Sequence, residues 1–313
     1  MMSNPNAVGI FLMENILVSL FGFLKWCMMR IIKKKSLVTS KKAMNNNVYK
    51  NYIFDFYGTL VDILTDEKDP MLWDKLAQLY QAYGAYYKGK ALKKAYAKRV
   101  GQARKDLVAL KGVAYPEIDL AHIFNQLYVD ASLQSSRLHQ PEGWGQLIAM
   151  VFRVLSRKYL MAYPHTKEVL AFLKEQGCRL YLLSNAQAAF TNAEIDLMEL
   201  RAYFDAIYLS SDAGICKPQP EFLKQVLIDH RLKPSETVMV GNDLTTDIAV
   251  AEGVGIDGIL LNTFPYSRRE LENSPIKPNR VITDIEARSF KDRFYIKIHS
   301  IWQKQRQLSE FLV

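Results

Sequence analysis

Two hydrophobic patterns alternate along most of this chain. Short apolar runs occur at residues 52–54, 179–183, 206–209, 237–240, 257–261 and 280–282. Between several of them lie stretches with helical apolar spacing, at 166–176, 221–230 and 246–252. Short runs with no polar alternation predict strands buried on both faces, and strands alternating with helices predict a parallel sheet with helices on either side. The fold class expected is therefore α/β, a doubly wound parallel sheet with a Rossmann-like core.

Residues 66–163 break that rhythm. They hold helix-compatible stretches at 70–83, 88–110, 118–131 and 144–160 and no clear strand. An all-helical insertion of this length predicts a separate small domain rather than a loop. Its junctions are expected near 61–66 and 162–166, where Tyr163-Pro164 marks a break. The expected division is a leader at 1–49, a core at 50–65 and 164–288, a helical cap at 66–163, and a tail at 289–313.

At 313 residues, with 49% hydrophobic and 23% charged residues, the chain has the composition of a globular protein with a sizeable core. The net charge of +9 invites a nucleic-acid reading, but eight bases against one acid in residues 1–50 account for seven of those charges. The rest of the chain has no strong electrostatic case for nucleic acid, and none is expected as a partner. The cysteines Cys27, Cys178 and Cys216 and the five histidines follow no disulfide or zinc spacing, which fits a reducing, cytoplasmic setting.

The leader is apolar from Ala7 to Ile32, yet Glu14, Asn15 and Lys25 leave a core too short for an ordinary spanning helix. Its bases follow the apolar stretch instead of preceding it, unlike an export signal. Membrane contact by a weakly associating helix and an extension without a structural role, with Met44 as the functional start, remain the two readings. The tail carries apolar residues among bases and is expected to dock on the body.

Candidate chemistry gathers where strands end. Asp55-Phe56-Tyr57-Gly58-Thr59-Leu60 follows the first strand. Ser184-Asn185 closes the second, Lys217-Pro218 precedes a helix, and Gly241-Asn242-Asp243-Leu244-Thr245-Thr246-Asp247 follows the fourth. In a doubly wound sheet these carboxyl ends face one crevice. A carboxylate can attack phosphorus and split one hard displacement into two easier ones. A lysine, hydroxyls and a hard cation can neutralise the phosphoryl oxygens, and two carboxylates with a backbone carbonyl suffice for magnesium.

The order Asp55-x-x-Gly58-Thr59, Ser184-Asn185, Lys217-Pro218 and Gly241-Asn242-Asp243-x-x-x-Asp247 resembles the haloacid dehalogenase-like (HAD) hydrolase superfamily. The insertion resembles its helical-cap branch, and the likeness covers about residues 50–290. It implies Asp55 as nucleophile, with Ser184 and Lys217 contacting the phosphate or the intermediate. Gly58, Thr59 and Asn185 fall at the substrate rim. Asp243 would hold Mg2+, joined by Asp55 and the Tyr57 carbonyl, with Asp247 beside it. Most such proteins are phosphatases of small phosphorylated metabolites, so a small phosphate ester is the expected substrate.

Two departures stand out. Tyr57 occupies the position where the phosphatases usually place an Asp that protonates the leaving alcohol, and a phenol is a poor acid for that task at neutral pH. Asn242 stands where a first Asp is often found, so either Asp243 or a register shifted by one supplies the ligand, and Asp243 is preferred. Tyr57 resembles the metal-independent 2-haloacid dehalogenases, which gives the alternative activity. A non-catalytic binding protein on the same fold is the third reading. The cap bases Lys88, Lys90, Lys105 and Arg153 are candidates for anion contact, but a cap lysine is more often solvated than functional, so they are left out of the expected site.

Overall fold

The computed structural model describes residues 49–132 and 140–285. The leader and the tail, with the readings attached to them, lie outside the described residues. In chain order the strands are β1 (Asn51–Phe54), β2 (Val61–Thr65), β3 (Arg157–Ala162), β4 (Arg179–Ser184), β5 (Ala206–Leu209), β6 (Thr237–Gly241), β7 (Asp257–Leu261) and β8 (Arg280–Ile282). Six of them form one parallel sheet in the order β5-β4-β1-β6-β7-β8. The chain thus builds outward on one side of β1 and then returns to build on the other. A crevice opens at such a reversal, beside the carboxyl ends of the strands.

The apolar runs read as strands because the two-residue side-chain period feeds two cores at once. Tyr52, Phe54, Leu180, Leu182, Val238 and Val240 enter one core. Ile53, Tyr181, Leu183 and Met239 enter the other. Helices cover both faces. Thr166–Glu175 presents Val169, Leu170 and Leu173 to the first core, and Pro220–Asp229 presents Phe222, Leu223, Val226 and Leu227 to the second.

Four helices lie between β2 and β3: α1 (Pro70–Ala82), α2 (Gly89–Lys111), α3 (Leu120–Ser132) and α4 (Trp144–Ser156). Helix α1 starts where Asp69 accepts the Met71 N–H at 2.9 Å and Pro70 takes the first helical position. Leu72, Leu76 and Tyr80 recur on one face, and with Phe124, Tyr128, Trp144, Ile148 and Phe152 they bury a core of their own. Among the described residues no helix is long and apolar enough to cross a membrane.

One expectation needs correcting. Residues 157–160 were expected to extend the last helix and 66–163 to hold no strand, but α4 stops at Ser156 and β3 follows without a break. Strand β3 pairs antiparallel with β2, Asp62 opposite Met161 and Ile63 opposite Leu160. The tertiary partner decides here: 157–162 is too short and too mixed in polarity to declare itself a strand, and β2 supplies its ladder.

Two sets of polar contacts bind the helices to the sheet. Glu194, 3% exposed, lies on the helix Ala188–Leu197. It accepts from Arg153 Nε at 2.8 Å, Arg153 Nη2 at 3.1 Å and Arg157 Nη1 at 2.9 Å. On another side, Pro116 bridges Ile215, the Glu117 N–H donates to Gly214 O at 3.2 Å, and the Cys216 N–H donates to Tyr115 O at 3.0 Å. Removing a buried carboxylate strands its cations and costs about 3–5 kcal/mol. Glu194→Ala should therefore lower the urea unfolding free energy by about 3 kcal/mol. A loss below about 1 kcal/mol, as for an exposed pair, would contradict that reading.

Candidate active site

Asp55 leaves β1 at the centre of the sheet, its N–H donating to Val240 O at 2.9 Å. It is 7% exposed. The chain then turns at Gly58, whose φ of +79° is a conformation that L side chains seldom adopt. A Cβ there would also come within 2.5 Å of the Asn242 amide nitrogen. The turn brings the buried Thr59 back over the strand end. Its hydroxyl sits 3.3 Å from Asp55 Oδ2 and 3.2 Å from Asn242 Oδ1, and it can donate to one of them.

Two of the predicted groups meet on the other carboxylate oxygen. Ser184, the last residue of β4, donates through Oγ to Asp55 Oδ1 at 3.0 Å. Lys217 donates to the same oxygen at 2.8 Å, to Leu183 O at 2.8 Å and to Asp247 Oδ1 at 2.6 Å. Those three bonds occupy every N–H of the ammonium. Burial alone would lower its pKa, but Asp247 and Asp55 outweigh burial and hold it above the usual lysine range. Burial pushes Asp247 upward against the pull of Lys217.

The closeness of these groups depends on backbone clearance. A Cβ on Gly241 would lie 2.2 Å from the Asp247 carboxyl, so only glycine lets that side chain reach Lys217 over the end of β6. Asn185, expected at the substrate rim, lines the cavity and has a second task. Its Nδ2 donates to Lys217 O at 2.9 Å and its Oδ1 accepts the Lys217 N–H at 2.7 Å. The amide clamps the backbone that carries the ammonium.

The acids expected to hold a cation are also engaged differently. Both oxygens of Asp247 are taken, Oδ1 by Lys217 and Oδ2 by the Asp243 N–H at 3.0 Å. Asp247, expected beside the metal, therefore positions Lys217. Asp243 Oδ1 caps the following turn, accepting the Thr245 N–H at 2.6 Å, the Thr245 hydroxyl at 2.7 Å and the Thr246 N–H at 3.0 Å. Only its second oxygen stays outside that cap. Asn242, the alternative ligand, places its Oδ1 3.2 Å from the Thr59 hydroxyl, on the side of Asp55 Oδ2.

Tyr57 lines the cavity, yet its hydroxyl is tied into the Glu194 cluster. It donates to Glu194 Oε2 and lies 2.9 Å from the Thr191 hydroxyl. The Arg153 guanidinium lies 5.0 Å from its ring centroid. Burial raises the phenol well above its usual range, Arg153 pulls it partly back, and Glu194 adds to the rise. Arg153, left out of the expected site, is thus buried. Glu194 escaped notice in the sequence; its signal is an acid four residues after Phe190 on a buried helix face.

The cavity these groups enclose measures about 210 Å³, lined by Asp55, Tyr57, Ser184, Asn185, Lys217, Asn242, Asp243, Thr246 and Asp247. Among the described residues no three His, Cys, Asp or Glu side chains converge as a metal cluster. The lining is rich in oxygen, which suits a hard cation that keeps most of its waters. Donors that fit are Asp55, the free oxygen of Asp243, the Asn242 amide oxygen and the Tyr57 carbonyl.

The buried triad predicts a coupled response. Lys217→Met leaves Asp55 and Asp247 facing each other without a counter-charge and should cost about 3–5 kcal/mol in urea unfolding. Adding Asp247→Asn should restore part of that loss, because the two sites share one interaction. Strict additivity of the two substitutions would contradict the coupling.

Residues 49–255 match the haloacid dehalogenase-like hydrolase family. A glyceraldehyde 3-phosphate phosphatase of Pyrococcus furiosus is 29% identical over 114 residues, covering 36% of this chain and 48% of that protein. The chain spans about half the length of the curated relatives it matches. Two solved structures share the fold. A HAD phosphatase from Thermococcus onnurineus has TM-score 0.51 and 18% identity, covering 77% of this chain and 97% of its own. A 2-haloacid dehalogenase from Pseudomonas syringae has TM-score 0.52 and 20% identity, covering 76% and 95%. The family match spans most of the chain, from β1 through the strand end that carries Asp247: the protein belongs to the haloacid dehalogenase-like hydrolases.

Proposed function

We propose that this chain is a phosphatase of a small phosphorylated metabolite, working in the cytoplasm through an aspartyl-phosphate on Asp55. The observation that carries the reading is the division of labour on that carboxylate. Lys217 and Ser184 fix Oδ1, while Oδ2 has only the 3.3 Å contact with Thr59 and is the oxygen left to attack. Lys217 also sets a positive charge between Asp55 and Asp247, offsetting the repulsion between the two carboxylates. Family relatives named as phosphatases, such as that of Pyrococcus furiosus, support phosphoryl chemistry.

Magnesium, when bound, would offset the charge of the phosphoryl oxygens. Asp55, Asp243, Asn242 and the Tyr57 carbonyl would hold it. The helices α1–α4 would act as a cap that excludes water and selects the substrate. Two free cysteines, Cys178 and Cys216, suit a reducing compartment.

Tyr57 favours a second reading, metal-independent hydrolysis of a 2-haloacid, because a departing halide needs no proton donor. One experiment separates the two. Turnover of p-nitrophenyl phosphate should require Mg2+, stop in EDTA, and fall at least about 10³-fold in Asp55→Asn. Halide release from a 2-haloacid in EDTA, with no phosphate released in Mg2+, would replace the first reading with the second.

A further inference from the structure

We infer that this site acts on acyl phosphates, mixed anhydrides of phosphoric acid with a small carboxylic acid, and discriminates against alkyl phosphate esters. The inference rests on the phosphatase reading and deepens it. Its basis is an inventory of the protons around Asp55. An alkoxide departs as a strong base and needs a proton as its bond to phosphorus breaks, whereas a carboxylate departs as a stable anion.

Five titratable groups line the cavity, and none offers a proton. Asp55 is the nucleophile and accepts from Ser184 and Lys217. The three N–H bonds of Lys217 end on Asp55, Asp247 and Leu183 O. Asp247 accepts on both oxygens. Asp243 Oδ1 accepts from three donors at its helical turn.

Tyr57 remains, and among these groups it is the nearest in sequence to the nucleophile. Its hydroxyl proton goes to Glu194 Oε2, behind the cavity wall. Glu194 is 3% exposed and held by Arg153 and Arg157. Freeing the phenol would break its bonds to Glu194 and Thr191 inside a buried cluster, which disfavours reorientation toward a leaving group. The Arg153–Glu194–Tyr57 cluster is therefore a positioning device: it keeps the residue two beyond Asp55 fixed and removes it from proton transfer.

The rest of the lining agrees. Among the described residues Lys217 is its only cationic side chain and is fully engaged, so these provide for no second phosphate. A volume of about 210 Å³ suits a small molecule. In the first step an Asp55 oxygen bonds to phosphorus, the bond from phosphorus to the bridging oxygen breaks, and the acyl group leaves as its carboxylate without a proton. In the second, water attacks the aspartyl-phosphate. Both water protons remain on the released dihydrogen phosphate, and Asp55 returns as carboxylate.

The test is a leaving-group series on the full chain in Mg2+: acetyl phosphate, p-nitrophenyl phosphate, phenyl phosphate and glycerol 3-phosphate. The readout is the ratio of kcat/KM between substrates, which does not depend on how much of a variant folds. Acetyl phosphate should exceed glycerol 3-phosphate by about 10²-fold or more, the scale of a missing general acid. Tyr57→Phe should leave that ratio unchanged. Glycerol 3-phosphate turned over on a par with acetyl phosphate would overturn the inference and leave the phosphatase reading standing. A ratio that grows in Tyr57→Phe would identify the phenol as the acid and overturn it too. Release of phosphate from no member would overturn both.

Discussion

A single buried ammonium organises this site. Lys217, 2% exposed, is bound between Asp55 and Asp247, and each carboxylate is tolerated there because of it. Burying one unpaired charge costs several kcal/mol, so this triad is stable as a set and unstable in parts. The surrounding residues serve that arrangement. Asn185 clamps the lysine backbone at both polar atoms, Leu183 O takes the third N–H, and Gly241 leaves room for Asp247.

The helical unit is attached close to both catalytic segments. Arg153 and Arg157 meet Glu194, which receives the Tyr57 hydroxyl two residues after Asp55. The 115–117 segment pairs with 214–216, directly before Lys217. Movement of the helices would therefore be felt at the Asp55 loop and at the Lys217 loop together. On the proposed function, this gives a physical route that couples enclosure of a substrate to the geometry at Asp55.

Much of the sheet was legible because strands buried on both faces leave nothing but apolar residues to read. Residues 206–209, 257–261 and 280–282 are strands with the expected ends, and the others differ by a residue or so. Strands β2 and β3 were harder, since each is defined by its pairing with the other. At the site, residue types at strand ends pointed to the convergence of Asp55, Ser184 and Lys217, but not to what each acid does. Asn242 and Asp243 are adjacent in the chain, yet one turns toward Asp55 through Thr59 and the other into its own turn. Spacing cannot separate such neighbours; backbone direction does. Glu194 was illegible because an acid on a helix ordinarily faces water.

The account stands on Asp55 carrying the transferred group. Acid quenching during steady turnover of acetyl phosphate, followed by peptide mass analysis, tests this directly. A phosphoryl adduct on the peptide holding Asp55, removed by hydroxylamine as an acyl phosphate is, is the predicted result. Phosphate release with no adduct there, or with the adduct on another side chain, would contradict it.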